Sequence, residues 1–382
     1  MRPRTVGVEE EFLLVRPDGQ LAEAGEEVTG EVCDRDENAQ VEHELKRAQA
    51  EIGSRPAREL AELEPDLADL REKLADAAAK AGCSVVAIAT HPTALRPRTT
   101  REQRYRAMTE RYGAVARGQL TCGMHVHVGI DSPEEGIAVI DRIRPSLALL
   151  IALSSNSPFH HGEDTEYASY RNVLWGQWPT AGPTGAFGDV ATYRRRARDL
   201  IASGAALDEA MLYFDIRMSA KYPTVEIRVA DVCPDTTSAV AIAAVARALV
   251  DTAARDWREG VPVVDEPVEV LRARAWRAAR WGMTGELLEA PGPDVPVSQG
   301  PPQLRPAWEC VETMLGRISE SLSHAGDLGL VGQSLDILRA NGTGAQRQRT
   351  AHAAGGFDAV LDLLTVGSSN TGTRVAAQMG EG

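Results

Sequence analysis

Three consecutive glutamates stand inside an apolar run near the start of the chain, in TVGVEEEFLLV at residues 5–15. The run predicts a β-strand, in which successive side chains point to opposite faces. Glu9 and Glu11 then share one face, about 7 Å apart at their Cα atoms, and Glu10 points to the other. Carboxylates are seldom buried without a partner. The pair therefore predicts a bound cation if the strand lies inside a sheet, and two solvated side chains if it lies at an edge.

The composition is that of an ordinary globular protein. The 382 residues are 43% hydrophobic and 25% charged, enough for a large core in one domain or two closely joined ones. The formal net charge of -14 repels nucleic acid and anionic membranes, so neither is expected as a partner. No signal peptide and no uncharged apolar stretch of about 18 residues is seen. Five scattered cysteines without a CxxC pair indicate reduced thiols and a cytoplasmic location.

Helical and strand patterns alternate over the first two thirds of the chain. Leucines at three- and four-residue steps predict a helix from Leu60 to Ala81, with Gly82 just beyond its end. The segment 41–54 fits either a strand or a helix, and 133–155 fits one long apolar helix. Apolar runs predict four further strands, at 83–90, 118–130, 211–219 and 223–231.

The last third of the chain has a different character. Beyond about residue 265 only helices are expected, interrupted by a Pro/Gly-rich linker at 290–302. A single domain over residues 1–382 is predicted, with a mixed α/β part up to about 260 and a helical part from about 261 onward. The long segment 156–189 has little regular pattern, and such segments in compact domains are usually functional.

Two of the predicted strands carry further polar pairs on one face. In GMHVHVGI, His125 and His127 share a face, and two such imidazoles are either satisfied core residues or ligands. In TVEIRVAD, Glu226 and Arg228 share a face, and they form either an exposed ion pair or part of a nucleotide site. A bound nucleotide needs both groups, because carboxylates hold the divalent ion and a guanidinium binds phosphate.

A third acidic pair, Glu44 and Glu51, is seven residues apart, which is two turns on one face if the segment is helical. On spacing alone, two solvated helix charges are the better interpretation. Oxygen ligands with one or two histidines and no paired cysteines favour Mg²⁺ or Mn²⁺ over structural zinc. Several carboxylates with an arginine suit phosphoryl transfer from ATP, and the absence of a GxxxxGK[ST] loop excludes a P-loop enzyme.

Four ordered motifs together resemble one known family: GVEEEF, CGMHVHVG, DTEYASYRNVLWGQWPTAGP and TVEIRVADVCP. They are similar to the bacterial carboxylate–amine ligases of the glutamate–cysteine ligase type 2 family, and NGTGAQRQRTAH resembles that family's C-terminal motif. The resemblance implies an α+β, glutamine synthetase-like fold, with a curved, mostly antiparallel sheet that holds ATP and metals and has helices outside. It also implies that ATP phosphorylates a carboxylate and that an amine then displaces phosphate to form an amide.

The resemblance also implies residue roles. Arg228 matches the arginine that contacts the transferred phosphate, His127 is expected at the nucleotide, and Arg171 at the substrate carboxylate. The expected metal ligands are Glu9, Glu11, Glu44, Glu51, His125 and Glu226. Glu9→Gln and Glu226→Gln are therefore expected to abolish turnover, and to leave stability without metal level or higher because like charges are relieved. Glu10→Gln is expected to stay active.

The substrates are left open by the motifs. A small carboxylic acid and a small amine are expected, with weak glutamate–cysteine ligase activity as one option and a homodimer as one assembly. His160, His161 and Met218 depart from the family pattern near the predicted substrate segment, which indicates a specialised acid or amine. One alternative is a metal-dependent hydrolase that uses the same glutamates and histidines without ATP. A binding protein without catalysis is the other alternative.

Overall fold

An antiparallel sheet forms the centre of the computed structural model, which describes residues 2–36, 39–93, 97–291 and 303–367. The predicted linker lies almost wholly outside these residues. In chain order the strands are β1 Val6–Val15, β2 Gln40–His43, β3 Gln49–Gly53, β4 Ser84–Val86, β5 Gly123–Gly129, β6 Phe159–His160, β7 Glu163–Asp164, β8 Ile216–Met218, β9 Thr224–Asp231, β10 Glu286–Leu288 and β11 Leu304–Pro306.

Helices flank the sheet along the whole described chain. They are α1 Gly25–Arg35, α2 Leu60–Lys80, α3 Gln103–Tyr112, α4 Ala114–Gly118, α5 Pro133–Ile143, α6 Leu147–Ser154, α7 Tyr170–Trp175, α8 Val190–Ala202, α9 Thr236–Arg258, α10 Val268–Trp281, α11 Ala307–Ala325, α12 Leu328–Asn341 and α13 Gly344–Leu364. The antiparallel sheet with helices confirms the predicted α+β class.

Seven strands make up the main sheet. Their order is β2-β3-β1-β5-β9-β8, with β4 paired to the end of β1, and every pairing is antiparallel. Strands β6 and β7 form one small hairpin, and β10 and β11 form a second small sheet. The expectation of helices alone beyond residue 265 was therefore wrong for β10 and β11. The ambiguous segment 41–54 contains β2 and β3, so Glu44 and Glu51 do not lie on a helix.

The helix predicted from Leu60 agrees with the structure, whereas the one predicted over 101–117 is divided at Gly113 and the one predicted over 133–155 is divided at a proline. Helix α2 ends as expected: Gly82, just beyond its end, has a φ of 70°, in the left-handed region that glycine adopts readily, and Cys83 N–H donates to Ala78 O at 3.0 Å. The long helix expected over 133–155 is divided into α5 and α6 by a 3₁₀ turn at Arg144–Ser146 that contains Pro145. Proline lacks the N–H that a continuous α-helix requires.

The main core lies between the sheet and α9. One face of the sheet, called here the outer face, is apolar, and its side chains pack with the alanine-rich surface of α9. By length and composition α9 is long and apolar enough to cross a membrane, and 78% of its apolar window is buried inside the fold. The apolar outer-face residues are Val6 and Val8 of β1, Met124, Val126 and Val128 of β5, and Val225 and Ile227 of β9.

One carboxylate also points to the outer face, as the strand pattern predicted. Glu10 is 0% exposed, and its two carboxylate oxygens accept hydrogen bonds from Arg71 of α2 at 2.8 and 2.6 Å. Arg71 also donates to Cys233 O at 3.0 Å and lies over the ring of Phe12. Glu10 therefore joins β1 to α2 through a buried, bidentate ion pair.

This pair makes Glu10→Gln costly for stability. We expect the substitution to lower the free energy of unfolding by about 3 kcal/mol, because it leaves a buried guanidinium without its counter-charge. Urea denaturation measures the change. The matched control is Glu31→Gln, since Glu31 bonds to Lys80 at the surface and such pairs contribute less than about 1 kcal/mol. Equal stability of Glu10→Gln and the unchanged protein would contradict the assignment.

Candidate active site

The sheet face opposite α9, called here the cavity face, carries the predicted ligands. Glu9 on β1 lies directly opposite His125 on β5, and Glu11 lies opposite Glu51 on β3. His127 on β5 lies opposite Glu226 on β9. Strand register thus brings these side chains together from distant parts of the sequence. Glu44, the remaining predicted ligand, follows directly after β2.

Six side chains form two groups with the spacing of metal ligands. Glu9, His127 and Glu226 form the histidine triad, and Glu11, Glu44 and Glu51 form the carboxylate triad. Within each triad, one ligand atom per residue lies within 4.8 Å of the others. The carboxylate triad thus joins three of the predicted ligands.

The two histidines lie differently with respect to the two triads. His127, expected at the nucleotide, belongs to the histidine triad, with Nε2 3.3 Å from Glu9 Oε1. His125, expected as a ligand, lies between the triads. Its Nδ1 is 3.3 Å from Glu9 Oε2 and its Nε2 is 3.8 Å from Glu11 Oε1. Both rings face the same cavity, so register rather than motif position decides which ring joins which triad.

The protonation of the site follows from burial and from its neighbours. Burial lowers the pKa of His125, and Arg228 lowers it further, so the imidazole is neutral, which is the form that binds metals. Burial raises the pKa of Glu51 well above its usual range, and repulsion from Glu44 adds to the rise. Burial opposes ionisation of Glu9, but its close contacts with both histidines hold its pKa far below the usual range.

Glu226 is held by two arginines. Arg217 of β8 donates to its two carboxylate oxygens at 2.7 and 3.1 Å, and Arg228 donates to Oε1 from the same strand as Glu226. Burial raises the pKa of Glu226, but the two guanidinium groups lower it more, so the side chain is a carboxylate. Sequence reasoning missed Arg217. The signal was its place in DIRMS, the strand predicted to pair with TVEIRVAD, where the register sets Arg217 opposite Glu226.

Both triads line one cavity of about 300 Å³ that opens to solvent. The two triads, His125, Arg217 and Arg228 lie on its sheet side. Aromatic side chains form another part of the wall, and the loop with Lys221 and Tyr222 forms a third. The guanidinium of Arg228 lies 5.8 Å from the ring centre of Trp175 and 5.9 Å from that of Tyr213, which holds it at the aromatic wall. The aromatic residues of that wall are Tyr105, Trp175, Trp178 and Tyr213.

Arg171 lies elsewhere. It is 1% exposed, it is absent from the cavity lining, and its guanidinium donates to the backbone carbonyls of Arg228 and Val229. This placement does not suit the expected contact with a substrate carboxylate. His160 and His161 also lie outside the cavity lining, at the β6–β7 hairpin, with ring centres 4.0 Å apart.

The residues of the site fit divalent cations. Among the described residues, Nε2 of His125 and Nε2 of His127 are buried and have no hydrogen-bond partner. Nδ1 of His127 lies 3.0 Å from Thr224 Oγ1, a contact that leaves Nε2 for a ligand role. Carboxylate oxygens with one or two imidazoles are the donor set that Mg²⁺ and Mn²⁺ accept.

The sequence matches the family model described as glutamate-cysteine ligase family 2 (GCS2) over residues 5–317. The chain belongs to this family. A relative from Streptomyces coelicolor, named "Putative glutamate--cysteine ligase 2", is 45% identical, over 91% of this chain and 93% of the relative. A relative from Frankia alni, named "Putative glutamate--cysteine ligase 2-2", is 46% identical, over 94% of this chain and 96% of the relative.

A solved structure shares the fold. The glutamate–cysteine ligase of Francisella tularensis in complex with AMP superposes with a TM-score of 0.70 at 14% identity, over 95% of this chain and 88% of the other. Family and fold together confirm the prediction of an ATP-dependent carbon–nitrogen ligase with a glutamate–cysteine ligase-like fold. None of these matches supports the alternative of a metal-dependent hydrolase.

The two triads respond differently to the loss of one carboxylate. In EDTA, Glu51→Gln is expected to keep or raise the free energy of unfolding, because a neutral amide at this position needs no proton to avoid repulsion from Glu44. Glu226→Gln is expected to lower it by about 3 kcal/mol, because the buried guanidinium of Arg228 and the half-buried one of Arg217 lose their carboxylate partner. The geometry thus reverses the sequence-based expectation for Glu226.

Urea denaturation of both variants, in the same metal-free buffer, measures the difference between them. The account of the charges would be wrong if Glu226→Gln were the more stable variant.

Proposed function

We propose that the histidine triad and the carboxylate triad each hold a divalent cation, Mg²⁺ or Mn²⁺, and that together they bind the triphosphate of ATP. The observation that carries this proposal is the shared cavity, into which both triads and Arg228 face. Carboxylates alone would repel a triphosphate. When bound, the cations supply the charge neutralisation that phosphoryl transfer needs.

Arg228 is proposed to contact the phosphoryl group that is transferred. Its guanidinium is fixed on one side by Glu226 and on another by the rings of Trp175 and Tyr213. A group held in this way does not need to reorganise when negative charge moves from ATP to the carboxylate substrate. Glu226 would then serve the cation of the histidine triad and the orientation of Arg228 together.

His127 is proposed as a ligand of the histidine triad, and His125 as the residue that separates the two cations. His125 contacts Glu9 and Glu11, one from each triad, at 3.3 and 3.8 Å. Its neutral ring can lie between two cation sites without adding positive charge. The proposed metal ligands differ from the motif-based set only in that His127 takes the place of His125.

The substrates are proposed to be a small carboxylic acid and a small amine, joined through an acyl phosphate. The names of the relatives support glutamate and cysteine as the first pair to test, and the AMP complex of the Francisella enzyme supports an adenine nucleotide. The aromatic wall offers apolar surface beside charged groups, which suits a compact amphipathic molecule. A cytoplasmic setting without nucleic-acid or membrane partners completes the proposal.

The test is release of ADP with Mg²⁺, across panels of small acids and amines that include glutamate and cysteine. ADP release that needs ATP, one acid and one amine together is the expected result, and EDTA should abolish it. Release that is unchanged in EDTA would contradict the cation sites. ATP-independent cleavage of an amide by the same protein would contradict the ligase assignment.

Arg228→Lys is expected to reduce turnover by about a hundredfold or more, because it keeps the charge but loses the fixed bidentate geometry. The affinity for ATP should fall less, since the cations still hold the other phosphates. The control is Arg349→Lys, because Arg349 makes a bidentate pair with Asp164 outside the cavity lining. Turnover and ATP affinity are measured on each variant. An Arg228→Lys variant that loses affinity but keeps its turnover would make Arg228 a binding residue only.

A further inference from the structure

The pairing of β5 with β9 contains a β-bulge inside the active site. Met124 pairs with Ala230, but the next pair is Val126 with Ile227. One residue of β5, His125, therefore lies opposite two residues of β9, which are Arg228 and Val229. A bulge of this kind bends the strand and changes the direction of nearby side chains. Here it lies at the two positions from which His125 and Arg228 reach the cavity.

The guanidinium of Arg171 binds both residues that the bulge places opposite His125. Its Nη2 donates to Arg228 O at 3.2 Å, and its Nη1 donates to Val229 O at 3.4 Å. The planar guanidinium of an arginine can donate hydrogen bonds to two successive carbonyls in a fixed geometry, whereas the ammonium of a lysine cannot. Arg171 is among the largest fully buried side chains and does not line the cavity, so it acts from beside the cavity and not in it.

A glycine makes this close approach to the strand feasible. A Cβ atom on Gly123 would lie 2.1 Å from Arg171 Nη2, a distance at which the guanidinium would have to move. The N–H of the same Gly123 donates to Glu11 Oε2 at 2.7 Å. Gly123 of β5 therefore lies next to both Arg171 and Glu11, a ligand of the carboxylate triad.

The start of α7 is itself anchored to the end of β9. The N–H of Arg171 donates to Ser157 Oγ at 3.0 Å, and that hydroxyl donates to Asp231 Oδ2 at 2.7 Å. Trp175, one turn along α7, has the guanidinium of Arg171 at 5.7 Å from its ring centre and that of Arg228 at 5.8 Å. Backbone and side chain of Arg228 thus both depend on α7.

We propose that Arg171 is a positioning residue, which holds the bulge of β9 so that Arg228 and His125 point into the cavity. The effect of Arg171 on catalysis would then pass through Arg228, without any contact between Arg171 and substrate. This inference rests on the role proposed above for Arg228 in turnover. The structural part of the inference, that Arg171 stabilises the bulge, can be tested without measuring turnover.

The kinetic test is a double-mutant cycle in the ADP-release assay, with Arg171→Lys, Arg228→Lys and the double variant. Arg171→Lys keeps the buried positive charge near Asp231. We expect it to reduce kcat by about tenfold or more, since small misplacements of a reacting group have effects of that order. The double variant should be no slower than Arg228→Lys alone. Reductions that multiply would mean independent contributions and would overturn the proposal.

A matched control separates this effect from a general loss of packing. Arg144 is also buried and also donates to two backbone carbonyls, those of Asp141 at 3.1 Å and Thr184 at 2.8 Å. Arg144 does not line the cavity. Arg144→Lys should therefore keep kcat near that of the unchanged protein. A similar loss of kcat in Arg144→Lys and Arg171→Lys would overturn a specific role for Arg171.

Hydrogen exchange tests the hold on the bulge without substrate or turnover. Backbone amides of residues 224–231 should exchange faster in Arg171→Lys than in the unchanged protein, and should not change in Arg144→Lys. Gly123→Ala, which displaces the guanidinium but keeps Arg171, should give the same local increase. Unchanged exchange at 224–231 in both Arg171→Lys and Gly123→Ala would overturn the proposal, whatever the ADP-release assay shows about the function.

Discussion

Repulsion between carboxylates that share one face of a sheet is the constraint on which this site depends. Glu9, Glu11, Glu51 and Glu226 enter one cavity from β1, β3 and β9, and each needs a compensating charge, a hydrogen-bond donor or a proton. Glu226 has the charges of two arginines, whereas Glu9 contacts two histidine rings. The carboxylate triad is balanced differently, because the raised pKa of Glu51 indicates a proton where the cation would bind. Metal binding would thus complete a charge balance that the protein alone completes only in part.

Two buried arginines outside the cavity lining, Arg71 and Arg171, maintain this arrangement. Glu10 leaves β1 on the outer face and pairs with Arg71 of α2, which fixes the strand that carries Glu9 and Glu11. Arg171 of α7 reaches the backbone of β9 at the bulge. The two arginines differ in what they bind, since one neutralises a carboxylate and the other satisfies carbonyls. Both are buried, and both hold backbone from which ligands project, Arg71 from the outer face of the sheet and Arg171 from the cavity-face side next to Gly123.

Much of the site follows from period-two alternation, because it decides which side chains of a strand share a face. Glu9 with Glu11, and His125 with His127, were correctly placed on one face for this reason. The sequence did not distinguish the β2–β3 hairpin from a helix, because the seven-residue spacing of Glu44 and Glu51 fits both a turn between two strands and two turns of a helix. The contact of Arg217 with Glu226 depends on strand register, and the position of Arg171 depends on a bulge. Both features arise from contacts between distant segments of the chain. Arg71 left a visible signal, a charged residue on the leucine-rich face of α2.

The central claim is that two cations bind at two defined triads. The most direct measurement is an anomalous difference map from crystals grown with Mn²⁺ and a non-hydrolysable ATP analogue. The account predicts two peaks, one among Glu9, His127 and Glu226 and one among Glu11, Glu44 and Glu51, with the triphosphate of the analogue beside both. A single peak, or peaks at other side chains with the analogue bound in this cavity, would contradict it.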